Sequence, residues 1–487
     1  MVARGTVTLT LLSLAFAVDR GDAASLPAIF LALQTNLGLS PSQLSLLSLC
    51  QGLATAFSGP LWGLIVDRAH TSRPGLLALG CLLWGALTAL SAMTSSFRVL
   101  LLLRFLIGGA LACISPIRMS LVAELTPPSR RGITFGITSL FGILGAALGG
   151  IFSTTYSAKS LVLGLQGWRF VCVAIGALSW LVAVLVAFFA HDPRDTRRHH
   201  DHGATCTMVN RSRLDSSAPH APSSVSCMEA LRHLRRLRTL HYIILQGVVG
   251  GVPWNALSFL AMWLQLTGLS AWATSIVVAC QLLGEALGQP LGGALGDAAA
   301  AWDPDEGRAL VAQLTTAAGI PLVPLVLLVL PTGPTHGTLL GGAMFVFGLV
   351  MSWGGTAANF PISSEVVPSH SLATVTACAG VLQASSSSLF GAPMVAFLSE
   401  HYFGYTTPPA HMPLDAIDPE ERAQNAEALS RAMVAMSVPP WLVCIWFWRQ
   451  VGKVYPRDRD VTRSAIEAER AHQPTSAPPP PPRKLLL

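Results

Sequence analysis

The chain has 487 residues, is 52% hydrophobic and is only 11% charged, where soluble domains carry about 25% charge. Apolar stretches of about 20 residues recur along it, the length a helix needs to cross a hydrocarbon core of about 30 Å. This excludes a soluble globular domain and predicts an all-α, multi-pass integral membrane protein. The net charge of +6 then matters less than where the cations lie.

Spans fall near 6–33, 43–66, 75–94, 99–123, 132–155 and 168–190, then near 240–266, 272–296, 308–330, 337–360, 371–398 and 430–449. The apolar run behind the N-terminal "MVARG" is too long for a signal-peptide core, so the first span is expected to act as an uncleaved signal anchor. Within it, "AFAVDRGDAASLP" at 15–27 places Asp19, Arg20 and Asp22 in an otherwise apolar segment. A charge at the bilayer centre is costly unless paired or hydrated. Asp19 and Asp22, three residues apart, share a helix face, and Arg20 points about 100° away. The second span closes on "PLWGLIVD" at 60–67, with Gly63 and Asp67, followed by Arg68 and Arg73. The fourth holds Arg104 and Arg118, close to one stripe, and reaches Glu124 before Arg130.

A polar linker, 191–239, is rich in Arg, His, Ser and Pro and should be flexible. Its "HHDH" at 199–202 is either a zinc ligand set or a solvated loop run. Its end, "MEALRHLRRLRTL", alternates leucines and arginines as a basic amphipathic helix on an anionic membrane face would, or as a solvated start to the seventh span would. In the seventh span Gly250, Gly251 and Pro253 can break the helix and expose backbone groups beside Trp254 and Asn255. Gln281 and Glu285 lie on the eighth span, which closes on "PLGGALGD" with Gly293 and Asp297. Trp353, Asn359 and Glu365 follow on the tenth, Gln383 on the eleventh. For each polar or aromatic group, helix packing is the alternative to substrate contact. "SSSS" at 385–388 suits close helix approach. From 451 a disordered, Pro-rich tail is expected, whose "PPPPPR" fits an SH3-like partner. Seven of nine cysteines fall in spans with no CxxC pair and read as small packing residues.

"PLWGLIVD" and "PLGGALGD" align without a gap, each closing the second span of its half; "VAELTPPS" at 122–129 and "SSEVVPSH" at 363–370 echo each other after the fourth. The repeats predict two six-helix bundles, 1–190 and 240–450. With the N-terminus in the cytosol, Arg98, Lys159, Arg169, Arg422 and Arg431 lie in or beside outer loops and Arg20, Arg104 and Arg118 within spans; the remainder of the 31 Lys and Arg are cytosolic. The positive-inside bias therefore puts both termini in the cytosol, in the plasma membrane or an internal one.

Gly63, Asp67, Arg68 and Arg73, the "RxxxG" of Arg104 and Gly108, "GAALGG" at 145–150 and "GWRF" at 167–170 together resemble the major facilitator superfamily. Asp19–Arg20 followed by "SLP" resembles its spinster-like branch, which usually carries a Glu soon after the fourth-span Arg; here no acid precedes Glu124. The resemblance implies twelve helices in two pseudo-symmetric bundles, with the first and fourth spans lining a central cavity. It also implies a cytosolic gate in which Asp67 meets the start of the eleventh helix and Asp297 the fifth near Gly132, Gly63 and Gly293 allowing close approach. The buried charges then mark a transport site in which an acid holds protons and an Arg holds an anionic group. Alternatively Asp19, Asp22, Arg20 and Arg104 form an ion-pair network that only holds the bundle together. The expected activity is secondary active or facilitative transport of a small organic solute or amphiphile by alternating access, with a receptor or sensor on the same fold as the rival. No phosphate-binding loop or hydrolase spacing is present in the sequence, so neither an enzyme nor a cofactor is expected. The partners expected are substrate, protons and lipids but not nucleic acid, with the chain acting as a monomer.

Overall fold

The computed structural model describes residues 2–68, 72–127, 131–192, 237–367, 369–412 and 414–472. The "HHDH" run, most of "MEALRHLRRLRTL", Arg130 and the polyproline segment lie outside them. Side chains of residues 67–68, 131–133 and 369–374 are likewise outside the described set.

The first half comprises α1 (Val2–Ala28), α2 (Phe30–Leu37), α3 (Pro41–Arg68), α4 (Arg73–Ser91), α5 (Phe97–Leu111), α6 (Ile114–Leu125), α7 (Arg131–Ser157) and α8 (Gly167–Phe189). The second comprises α9 (Arg238–Gly250), α10 (Val252–Ala256), α11 (Leu260–Leu266), α12 (Ala271–Trp302), α13 (Gly307–Pro324), α14 (Gly337–Met351), α15 (Phe360–Val366), α16 (Ser369–Phe390), α17 (Ala392–His401), α18 (Pro419–Ala435) and α19 (Val438–His472). Short breaks join α1 to α2, α5 to α6, α9 through α11, α14 to α15, α16 to α17 and α18 to α19, so the helices form twelve spans. Eleven stretches among the described residues are long and apolar enough to cross a membrane; the first span, with its three charges, completes the set.

Local chemistry sets the boundaries. Ser72 and Ser270 cap α4 and α12 by accepting from the amides of Gly75 and Ala273. Pro321 and Pro324 remove two donors late in α13, and the helix widens to π geometry over Leu325–Val329. A second π segment, Gly355–Asn359, links α14 to α15. Glycines set the tightest crossings. A Cβ on Gly145 would lie 2.0 Å from the Ala17 carbonyl oxygen, and one on Gly149 2.5 Å from the Gly21 Cα, so α1 and α7 touch backbone to backbone. Gly284, Gly288, Gly292 and Gly296, one per turn, give α12 the same contact with α14 and the π segment after it. The "GAALGG" run is therefore a packing seam.

The two halves join at one end and part at the other. At the end far from the chain termini, a single core runs across both, from Leu26, Phe30 and Trp168 to Phe259, Trp263 and Leu429. Phe30 and Phe259 face each other at 5.3 Å. Tyr405 Oη donates to Gln34 Oε1 at 2.9 Å, Glu400 accepts from the amide and hydroxyl of Ser42 at 2.8 and 2.5 Å, and the His411 amide donates to the Thr35 carbonyl. At the end carrying the termini the cores separate, one in the first half around Trp84 and Ile117 and another in the second around Ile362 and Trp448. Helix α19 continues to His472, well past the expected start of a disordered tail. Tyr455 donates to Glu365 and Thr462 to the Val366 carbonyl, which holds the extension against its own half.

Candidate functional site

Helix α1 brings its charges to the middle of the first bundle because glycines at 21, 145 and 149 let it lie flush on α7. Asp19 is 3% exposed and pairs with its neighbour Arg20 at 2.8 Å. The guanidinium of Arg20, 48% exposed, is thus the outer member of that pair. Arg20 and Arg118 both lie over the ring of Phe16, at 5.2 and 4.0 Å from its centroid, a favourable placement for a cation. Nε and Nη1 of Arg118 are buried without a hydrogen-bond partner. Each Arg disfavours the charge on the other, and Asp19 is the acid that offsets both.

About one turn further along α1 lies Asp22, fully buried, with neither carboxylate oxygen hydrogen-bonded. The charges that act on it are Arg104, attractively, and Asp19, repulsively. Arg104 is 2% exposed; its Nη1 donates to Gln51 Oε1 at 3.4 Å and its Nε has no partner. Gly108, one turn on from Arg104, admits the backbone of α3 at Gln51, and Thr55 and Trp62 of α3 donate to the carbonyls of Gly108 and Gly109. The break at Ala112–Cys113 separates Arg104 on α5 from Arg118 on α6, so the two do not share one continuous helix stripe. The four-member network is not formed: Asp19 pairs with Arg20, while Arg104 reaches Gln51.

In the second half, a cavity of about 120 Å³ is lined by Gln246, Trp254, Thr315, Thr316, Asn359 and Trp441, among others. The seventh span bends at Gly251 without freeing its backbone, since the Gly251 amide still donates to the Gly247 carbonyl at 3.0 Å. Asn255 faces Gly391, and Gln383 lies against Gly247, its amide donating to the Ile243 carbonyl; both are packing groups between α16–α17 and the seventh span. Trp353 packs on Gly292, with its indole nitrogen buried and unpartnered. Gln281 and Glu285 lie half-buried on α12 where it crosses Gly348.

The expected gate residues separate into clusters within each half. Arg73 is 1% exposed and donates to Asp192 at 2.5 Å, to Glu124 at 2.6 Å and to Ser120 at 2.8 Å. In the second half Arg308 pairs with Asp297 at 2.8 Å and lies 3.8 Å from Glu365. Among the described residues Asp297 therefore engages its own half. Among the described residues nothing lies within 4 Å of a Cβ built on Gly63 or Gly293. The expected partners at the starts of the fifth and eleventh spans lie among the residues whose side chains are outside the described set. Arg169 of "GWRF" stacks on Trp168 and donates to the Ala92 carbonyl, tying α8 to the end of α4.

Phe16, Gln51 and Asp192 were not legible as partners: an aromatic or amide inside an apolar run, or an acid at the edge of a polar linker, carries no local pattern.

Twelve helices in two bundles, with ionisable groups buried mid-span, define a multi-pass transporter fold. The Major Facilitator Superfamily profile matches residues 11–392, and the chain belongs to that family. It is 25% identical over 268 residues to the "Probable sulfoacetate transporter SauU" of Cupriavidus necator, covering 54% of this chain and 58% of that one. It is 26% identical over 298 residues to the "Probable L-galactonate transporter" of Escherichia coli strain K12, covering 60% and 61%. The matches thus span about three fifths of those relatives. Among solved structures, a bacterial homologue of the human lysosomal transporter Spinster, inward-facing and unoccupied, superposes with a TM-score of 0.77 at 19% identity, covering 94% of this chain and 98% of that one. A D-xylose–proton symporter gives 0.58 at 15% identity, covering 91% and 96%. These likenesses show the fold.

Proposed function

We propose that the chain carries a small organic anion by alternating access, coupled to a proton held at Asp22, with both chain ends in the cytosol. The observation that carries this reading is the excess of positive charge in the first bundle: among the described residues Arg20, Arg104 and Arg118 face the acids Asp19 and Asp22, and two buried nitrogens of Arg118 have no partner. An anion between Arg118 and Arg20 would satisfy those donors and relieve the mutual repulsion of the two guanidiniums. Asp22 has no hydrogen bond to hold its charge, and a buried carboxylate in that state is suited to take and release a proton. Closure at the far end with parted cores at the other supports an inward-open state of a two-state cycle. The relatives named for sulfoacetate and L-galactonate, both organic acids, support the substrate class.

The test is uptake into proteoliposomes of organic acids set against their neutral amides. Acids should be carried and amides excluded, and Arg118→Gln should remove the distinction. Equal uptake of an acid and its amide by the unaltered protein would end this reading.

A further inference from the structure

At the chain-end side of the second bundle, α9 and α19 run side by side in opposite directions and present an outward stripe away from the charged centre of the first bundle. The two are fastened where the Thr239 amide, in the first turn of α9, donates to Asp458 Oδ2 at 2.8 Å. Deeper, Tyr242 meets Trp446 edge-on at 6.4 Å and Phe447 at 6.3 Å, and Trp446 and Phe447 are 5.1 Å apart.

Both helices change character at this aromatic level. On α19 the exposed Leu442 and Trp446 (53% exposed) are followed by exposed Arg449, Lys453 and Arg457. Spacings of three and four residues keep all five on one helix face. On α9 the same order runs in reverse, from exposed Leu245 to exposed His241 and Arg238. Aliphatic groups, then an aromatic layer, then cations is the order of a bilayer edge. Among the described residues none of Arg238, Arg449, Lys453 and Arg457 has a hydrogen-bond or ion-pair partner. Of the neighbouring acids, Asp458 is engaged by the Thr239 amide and Asp460 by Arg459, while Glu306 lies beside Gly452 on the adjoining face of α19. Among the described residues, the patch is therefore positive and its cations are paired with no acid.

We infer that this stripe is a binding site for an anionic phospholipid of the leaflet on the chain-end side. Its phosphate lies among Arg449, Lys453 and Arg457, with Arg238 beside Arg457, its glycerol region against Tyr242 and Trp446, and its acyl chains along Leu245 and Leu442. A soluble phosphate would match the cations alone; the continuous aliphatic and aromatic surface beneath them selects a lipid.

The test uses the full chain purified in detergent, incubated with equal amounts of phosphatidylcholine and phosphatidylglycerol, with retained lipid counted by native mass spectrometry. Phosphatidylglycerol should be retained in preference. Replacing Arg449, Lys453 and Arg457 by Gln should cut that preference by about fivefold per cation removed, and high salt should weaken it. Replacing Arg98, Arg422 and Arg431 by Gln, on the far face, should leave it unchanged. Tyr242→Leu with Trp446→Leu should also reduce it with every cation present, and this pair decides the matter if the triple variant fails to fold. Unchanged retention in the triple variant would overturn the inference. So would unchanged retention in the aromatic pair, or displacement of the lipid by inorganic phosphate at equal concentration. Dimerisation of the chain that disappears with the same substitutions would instead assign the stripe to a second copy.

Discussion

Asp19 and Asp22 lie about one helical turn apart and meet different chemistry. Asp19 offsets Arg20 and Arg118, so Asp19→Asn leaves two cations over one phenylalanine ring with no acid. Because Arg20 is half-exposed, the cost should fall between the roughly 1 kcal/mol of exposed pairs and the roughly 3–5 kcal/mol of buried ones. Asp19→Asn should therefore lower the amount of folded protein in the membrane, and adding Arg20→Gln should partly restore it; fluorescence-detected size exclusion reads both. A double variant no better than the single would show that Arg20 is not the group left uncompensated. Asp22 has no such dependent cation at bonding distance, and Asp22→Asn should leave folded yield unchanged. The sequence displayed these acids plainly, since three charges in an apolar span stand out. It did not display which Arg each would meet, because that is decided by side-chain reach across α1, α5 and α6.

At the scale of the element, helix contacts are written in small residues. The α1–α7 seam closes on Gly21, Gly145 and Gly149, where an added Cβ would meet backbone that cannot swing aside. Gly145→Val should cost about 1–3 kcal/mol of overpacking and lower the melting temperature in detergent. Gly150, with open space among the described residues, should accept Ala with little change, and equal losses at the two sites would argue against the seam. Span number and position were legible from hydropathy, because a bilayer demands a minimum apolar length. The polar continuation of α19 was not. Its helix is held by contacts to Glu365, Val366 and Thr239 that lie distant in sequence, whereas its charges locally resemble a tail. The breaks in the fourth and tenth spans did carry a local signal, since Pro116 and Pro361 each lie four residues beyond a carbonyl, at Ala112 and Ala357, that they leave without its helical donor.

For the molecule as a whole, the contrast between its two ends matters most. Gln34, Ser42, Glu400 and Tyr405 fasten the halves at the far end. Each hydrogen bond of this kind contributes about 0.5–1.5 kcal/mol, and more where a carboxylate accepts. Tyr405→Phe combined with Glu400→Gln should favour opening there, read as faster labelling of a cysteine placed at Leu37. Unchanged labelling would show that the apolar core alone holds that end. If the halves alternate about the charged centre, the proposed proton coupling runs through Asp22, whose buried carboxylate has no hydrogen-bond partner. The measurement that tests this most directly is organic-anion uptake into proteoliposomes with and without an imposed pH gradient, comparing the unaltered protein with Asp22→Asn. The gradient should accelerate uptake by the unaltered protein, while Asp22→Asn, folded to the same yield, should bind the anion but no longer respond to the gradient. An undiminished response in Asp22→Asn would contradict the assignment of the proton to the first span.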